Sequence, residues 1–530
     1  MAVKPLNIRS PRDLNGVFNS VLPDWRVAES TAPMKNDLLL AIDIGTGSVR
    51  AAVVSQNGTI LAYAAQEHDQ IVPRFGWSQQ SPRTWWEGAV FSIRSVVEKV
   101  ERARERIAGI AACGQMHGTV LIDDDGELVL EEVPLWNDKR TRTIVDRFQR
   151  NNDLSAFLPI TANPPTVAWP AFKLAWIKEN EPKAYDSART LLMPKDFINY
   201  KLTGNRVTDF CEASCSYLFD RRRSAWSSKI FDLLDLDIRK MPPVKSAAEI
   251  VGTITGAAAR ITGLREGTPV AVGAGDFPAA LLGGGVTTPG LACDITGTST
   301  LIALLSEQPV LDATISNVQG VTGGWAAFTL LDAAGDAMRW ARRAFHESAL
   351  SYDQIVQLAE RAPAGSDKLL FLPYLNGERI AKKANSRAQF FGLTSSHRAS
   401  HLHRAVMEGV AFASRRNIEL MKSRGSRLDR LIAAAGGAKT NLWLEIKAGI
   451  YDCPILIPSE PECGVLGCAI LAGLSAGVYS ELGATVSRLV RYDREILPNP
   501  TWVDRYRKMQ SVFDALYESS TQFWDRLDAL

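Results

Sequence analysis

The 530-residue chain contains no C-x-x-C pair, no H-E-x-x-H motif and no apolar run long enough to cross a bilayer, and its charge is almost balanced. Each absence closes a class of function. With 60 basic and 58 acidic side chains the formal net charge is +2, so a nucleic-acid or anionic-membrane surface is not expected. The seven cysteines (113, 211, 215, 293, 453, 463, 468) are an odd number in a long chain. They read as reduced, buried thiols of a cytoplasmic protein rather than as a disulfide framework. The close pair His401 and His403 lacks a zinc-site context. Residues 1–36 lack the apolar core and cleavage site of a signal peptide and read as an arm before the first domain. Neither a Walker A loop, G-x-x-x-x-G-K-[ST], nor a Rossmann fingerprint is present.

What is present is the composition of globular domains, 46% hydrophobic and 22% charged. The length calls for more than one core. Residues 38–44, LLLAIDI, form a strong strand candidate, followed by GTGS, an apolar run over 49–54, the Asn57-Gly58 turn signal and a third run over 59–65. Ser81-Pro82 opens a helix with an apolar stripe from Trp85 to Val100. The strand 107–113 runs into Gly114-Gln115-Met116-His117-Gly118. Later helices are expected over 331–346, 401–422, 440–452, 464–476 and 501–527. The last carries Trp502, Tyr506, Met509, Phe513, Leu516 and Tyr517 as a docking stripe.

An internal echo organises the chain. Residues 41–54 read AIDIGTGSVRAAVV and residues 292–305 read ACDITGTSTLIALL. In both, a strand ends in Asp-Ile, turns through Gly, Thr and Ser, and continues into an apolar strand. This predicts two related domains, each opening on a hairpin whose turn offers backbone N–H groups and hydroxyls to phosphate oxygens. The Asp43 carboxylate is within reach of a Mg²⁺ held by those phosphates, and Arg50 lies on the following strand. A third element, Ala435-Gly436-Gly437-Ala438-Lys439-Thr440-Asn441, follows a strand and opens a helix, where a polar or anionic ligand is favoured. In GAGDFPAA (273–280) a single carboxylate, Asp276, sits among small and apolar residues.

Together these residues resemble the FGGY family of carbohydrate kinases over roughly 38–490. The run AQFFGL (388–393), then His401-Leu402 and AVME (405–408), is similar to the family's C-terminal signature, and KLAWIKEN (173–180) to its N-terminal one. GWSQQSPRTWW (76–86), GQMHG (114–118), PLWNDKR (134–140), FLPYLNGER (371–379) and GGAKTNLW (436–443) resemble segments of xylulokinase-like pentulose kinases. The resemblance implies an α/β fold of two RNase H-like domains, of the actin/hexokinase/Hsp70 superfamily, around an interdomain cleft. Its expected divisions are 1–36 as the arm, 37–288 and 289–490 as the two domains, and 491–530 as a C-terminal helical segment.

The resemblance also implies ATP and Mg²⁺, with Asp276 as catalytic base and, with Asp43, as metal ligand. It places Gly45, Thr46, Gly47, Ser48, Arg50, Gly297 and Thr298 on the phosphates, and Gly335, Gly437 and Asn441 at the nucleoside. Met116, His117, Asp276 and Phe277 fall at the sugar. Phosphoryl transfer asks the protein mainly for positioning and charge neutralisation, which suits such a cleft. Family members often form dimers, so a homodimer is one expectation, without nucleic-acid or membrane partners. The implied reaction is phosphorylation of D-xylulose. Other acceptors stay open (ribulose, erythritol, erythrulose, glycerol), as does an inactive nucleotide-binding sensor. They stay open because Phe277-Pro278 stands where xylulokinases follow the base with Asn, and Gln79 and Ser81 stand where they carry Glu and Asp.

Overall fold

The computed structural model describes residues 36–378 and 383–530. The expected N-terminal arm, apart from Asn36, and Arg379 of the FLPYLNGER run lie outside the described residues.

The two halves of the echo become two seven-stranded mixed sheets. In the first, Leu38–Ile44 pairs antiparallel with Ser48–Ser55 and parallel with Ile107–Gly114. Ile60–Glu67 continues the meander, and Pro269–Ala271 and Ile250–Thr253 extend the other side. In the second, Leu291–Thr296 pairs antiparallel with Thr300–Ser306 and parallel with Arg430–Ala434. Trp325–Leu331 lies beyond the hairpin, and Ile455–Pro458 beyond the parallel partner. The strand order around each hairpin is the same, so the sequence echo is a structural duplication. Leu38–Ile44 and Ile107–Gly114 are buried at every position. That is why they read as continuous apolar runs and not as alternating ones.

Helices cover both faces. Pro82–Lys99 packs on the first hairpin through Trp85, Ala89, Ile93 and Val96. Ser81 sits at its N-cap with Pro82 after it, but the expected side-chain cap bond is absent. Cys463–Ser475, from the C-terminal half, packs against Leu38–Ile44 and Ile107–Gly114, and so ties the second half of the chain to the first sheet. It also crosses the helix Asp276–Gly283 at backbone distance. A Cβ on Gly467 would lie 2.0 Å from the Ala279 carbonyl oxygen, and one on Gly283 1.9 Å from that of Cys463. Only glycine permits that approach.

The segment after 490 begins as an edge strand, Tyr492–Ile496, before the helix Pro500–Asp528. The helix docks as its stripe implied. Tyr506, Phe513, Tyr517 and Trp524 are buried, and the Tyr506 hydroxyl donates to Glu408 Oε1 at 2.7 Å. The helix expected from 331 starts at Gly335, because Trp325–Leu331 is taken up as a strand. All seven cysteines are buried free thiols. Among the described residues no helix is long and apolar enough to cross a membrane.

Candidate active site

The first turn is held from within the sheet. Asp43 is the penultimate residue of its strand and faces Arg50 and Cys113 in register. Arg50 Nη1 donates to Asp43 Oδ2 at 3.2 Å and lies 3.7 Å from Glu462 Oε2, across from the other half of the chain. Burial raises the Asp43 pKa against the opposing pull of Arg50. Gly45 N–H donates to the Ser48 carbonyl at 3.0 Å, closing the turn, and His68 N–H to the Gly47 carbonyl at 3.1 Å. Arg50, expected on phosphates, is thus paired with Asp43 and Glu462, while its Nε donates to Ser48 Oγ at 3.1 Å.

Two glutamines and a tryptophan that the sequence reading left without a role hold Thr46. The Gln80 amide donates to the Thr46 carbonyl at 2.7 Å. Gln80 Oε1 in turn accepts from Gln115 Nε2 at 2.8 Å and Trp85 Nε1 at 3.0 Å. The Thr46 hydroxyl donates to Gln115 Oε1 at 3.2 Å and accepts from Trp136 Nε1 at 3.1 Å. All lie inside the quoted GWSQQSPRTWW, GQMHG and PLWNDKR runs; their neighbours in the motif were the signal. Trp85 is fully buried and belongs to the core.

The second turn is built differently. Asp294, the counterpart of Asp43, is saturated. Lys447 Nζ lies 2.7 Å from its Oδ2 and the Thr300 hydroxyl donates to Oδ1 at 3.0 Å; the Thr296 hydroxyl also donates there. The Tyr451 hydroxyl also donates to Oδ2, at 3.4 Å, so each oxygen of this 1% exposed carboxylate is met by two protein donors. The duplication therefore has one carboxylate met by Arg50 and Cys113 and one enclosed by four donors, a difference that two Asp-Ile sequences do not display. Gly297, Thr298 and Gly335 do come together. The Thr298 carbonyl accepts from Ala334 and Asp336 N–H at 3.0 Å each, and the Gly297 carbonyl from Gly335 N–H at 3.0 Å. Gly437 lies on Thr296, 2.6 Å from its Cβ to a Cβ built at the glycine. Asn441 opens the helix Asn441–Tyr451, and its side-chain carbonyl accepts from Arg494.

Just before Gly437, Ala435 adopts φ 64° and ψ −157°, a region that essentially only glycine occupies at no cost. Ala435→Gly is expected to stabilise the protein by about 1 kcal/mol, net of the entropy glycine adds to the unfolded chain. A higher denaturant midpoint at unchanged slope would register it; a lower one would show that the strain is absent.

Asp276 opens the helix Asp276–Gly283, and the preceding Ala274–Gly275 pairs with Cys113 and Gly114. The carboxylate is therefore fixed beside the strand end that neighbours Asp43. Its Oδ1 accepts the Phe277 N–H at 2.7 Å. Burial first, and then the Asp43 charge, push its pKa up to about 7. Met116 packs on Gly275, 2.6 Å from its Cγ to a built Cβ. His117 and Trp136 line a cavity of about 260 Å³ together with Thr166, Trp169, Ser316 and Phe328, the last two from the second sheet. Phe277 meets Phe328 edge to face, with ring centroids 5.5 Å apart. Among the described residues no group of three or more His, Cys, Asp or Glu could hold a metal.

Asp276 and Phe277 are not in the wall of that cavity, which Phe277 reaches only through its contact with Phe328. Two duplicated lobes, each opening on a strand–turn–strand hairpin of the same topology, give the two-domain fold of the actin/hexokinase type. The profile of the FGGY family of carbohydrate kinases, N-terminal domain, matches residues 38–283, and that of the C-terminal domain residues 293–476. The chain belongs to the FGGY family of carbohydrate kinases, and is a sugar kinase with ATP as cosubstrate. Xylulose kinase of Bacillus subtilis (strain 168) is 29% identical over 484 residues, 90% of this chain and 96% of that protein. Autoinducer-2 kinase of Klebsiella pneumoniae is 29% identical over 503 residues, covering 90% and 93%. The crystal structure of xylulose kinase from Rhodospirillum rubrum matches with a TM-score of 0.86 at 30% identity, over 92% of this chain and all of that one.

Proposed function

We propose that the protein transfers the γ-phosphoryl group of Mg-ATP to a hydroxyl of a small ketose, with D-xylulose the first candidate, and that Asp276 is the general base. The observation that carries this reading is the setting of Asp276, whose carboxylate pKa is raised by burial and by the Asp43 charge beside it, and whose neighbour Phe277 packs on Phe328 of the cavity wall. Oδ1 is occupied by the Phe277 N–H, which leaves Oδ2 to accept the proton of the attacking hydroxyl. Asp43 fits a Mg²⁺ because that ion keeps several waters and takes its other oxygens from phosphates, so one carboxylate suffices and Asp276 Oδ2 is left for the proton. When bound, the ion would neutralise charge on the transferred group. The turns at 45–48 and 297–298 are assigned the phosphates, and Gly335, Gly437 and Asn441 the nucleoside. Burial and the nearby Lys173 charge keep the His117 imidazole neutral, so it can bond a sugar hydroxyl without carrying charge.

A second reading, that the acceptor is another small sugar-like molecule, is favoured by Phe277 on Phe328. That contact puts an apolar surface where a pentulose would need an amide, and an unpaired buried hydroxyl costs about 1–3 kcal/mol. The K. pneumoniae relative is described as acting on autoinducer-2, which fits the same latitude. ADP release should be measured with D-xylulose, ribulose, erythrulose, erythritol and glycerol. The first reading expects D-xylulose to give the largest kcat/KM; inactivity on every pentulose alongside turnover of a smaller acceptor supports the second.

A further inference from the structure

Lys173 is fully buried on the helix Pro170–Asn180. Its Nζ donates to the His117 carbonyl at 2.7 Å. Among the described residues no carboxylate lies within ion-pairing distance of it; Asp138 and Glu212 act on it only from further away. Burial without an ion pair pulls its pKa down to about 7, because a buried charge is costly, and a packing role at this position would be met by methionine or leucine. The group it bonds is unusual in turn. His117 has φ 69°, a left-handed backbone that a non-glycine residue holds only where its surroundings over-determine it. The same chain segment grips both ends of that residue. Trp169, which immediately precedes the helix, meets the His117 ring edge-on at 4.9 Å, while Lys173 takes the carbonyl, with the Thr119 hydroxyl more distant at 3.4 Å. The ring so held lines the cavity, and its Nδ1 is buried with no hydrogen-bond partner. A buried polar atom left open at a cavity wall is accounted for by a ligand group that pairs with it.

We propose that Lys173 is a positioning residue of the acceptor site: its N–H bond to the His117 carbonyl fixes the left-handed turn that aims the imidazole at an acceptor hydroxyl. This rests on the reading of the cavity as the acceptor site. The helix from Pro170 to Asn180 is then a specificity element, although none of its residues need touch the acceptor.

The test compares Lys173→Met with Lys173→Gln. Both remove the charge at similar volume, and only glutamine keeps an N–H for the carbonyl. With whichever acceptor the wild type uses, Lys173→Met is expected to raise the acceptor KM about tenfold or more. The ATP KM stays unchanged, and Lys173→Gln recovers most of the loss. Equal effects of the two variants, or equal losses in the KM of acceptor and ATP, would overturn the proposal. A second readout needs no substrate. Histidine-selective ¹³C labelling gives one ring signal for each of six histidines, with that of His117 assigned by His117→Asn. Its signal should move in Lys173→Met and hold in Lys173→Gln; the opposite pattern, or no movement in either, refutes the role of Lys173 even if the acceptor has been misassigned. If the wild type phosphorylates no acceptor while the ring signal behaves as expected, the functional reading fails and the Lys173–His117 coupling stands.

Discussion

Asp276→Asn is expected to lower the rate of phosphoryl transfer by about 10²–10⁴, while making the folded protein more stable near pH 8. The two effects share one cause. Burial and the Asp43 charge hold the Asp276 pKa near 7, against an ordinary value of 3.8. A group with a raised folded-state pKa favours its protonated form on folding. Its contribution to stability is therefore fully present below pH 4 and is lost as pH rises to about 7. Above that, the native state holds an unfavourable buried carboxylate, which the isosteric amide removes. Catalysis runs the other way, because the base works only when ionised. For the wild type, kcat/KM should rise with pH through about 7 in the free enzyme. Thermal melts at pH 5 and pH 8 with initial rates on both proteins check all of this. A variant that is inactive and also less stable at pH 8 would assign Asp276 a structural role.

Gly335→Ala should raise the ATP KM by about tenfold to a hundredfold, since displacements near 1 Å carry penalties of that size. A Cβ at this position would stand 2.2 Å from the Gly297 carbonyl oxygen. The clash breaks the Gly335-to-Gly297 bond and strains the neighbouring bonds from Ala334 and Asp336 to the Thr298 carbonyl. The turn at 297–298 is thereby pushed off the helix that orients it. The proposed acceptor residues Met116, His117 and Asp276 follow strands of the first sheet, which this clash does not touch, so acceptor binding measured without nucleotide should persist. Calorimetric titration with a non-hydrolysable ATP analogue and with acceptor separates the two. Equal loss of both ligands would mean that the substitution unfolds the lobe rather than moving the turn.

Much of the frame was legible because it rests on local signals. Strands buried on both faces announce themselves as apolar runs, and the repeated Asp-Ile turn foretold two sheets of one topology. The helix Pro500–Asp528 was readable from its aromatic stripe. The site was legible only in part. Asp43 and Asp294 look alike in sequence, and what distinguishes them is Lys447, which reaches Asp294 from 153 positions away in the chain. Arg50 is expected on phosphates from its charge and its place in the motif, whereas its ion pairs with Asp43 and Glu462 appear only in the fold. Gln80 and Gln115 carry no charge and no periodicity. Their importance lies in geometry across the fold, as does that of Lys173, which a signature motif contains without explaining. The start of Gly335–His346 was misplaced because an apolar run before a helix looks like more helix.

The central claim is that a phosphoryl group leaves ATP for a hydroxyl held at Asp276 and not for water. ³¹P NMR of wild type and Asp276→Asn with Mg-ATP and each ketose or polyol tests it most directly. The wild type should form ADP and one new phosphomonoester in equal amounts with at least one acceptor, with no matching inorganic phosphate, and the variant should form neither in the time the wild type takes to finish. ADP matched by inorganic phosphate, or an unchanged phosphomonoester signal in the variant, would contradict it.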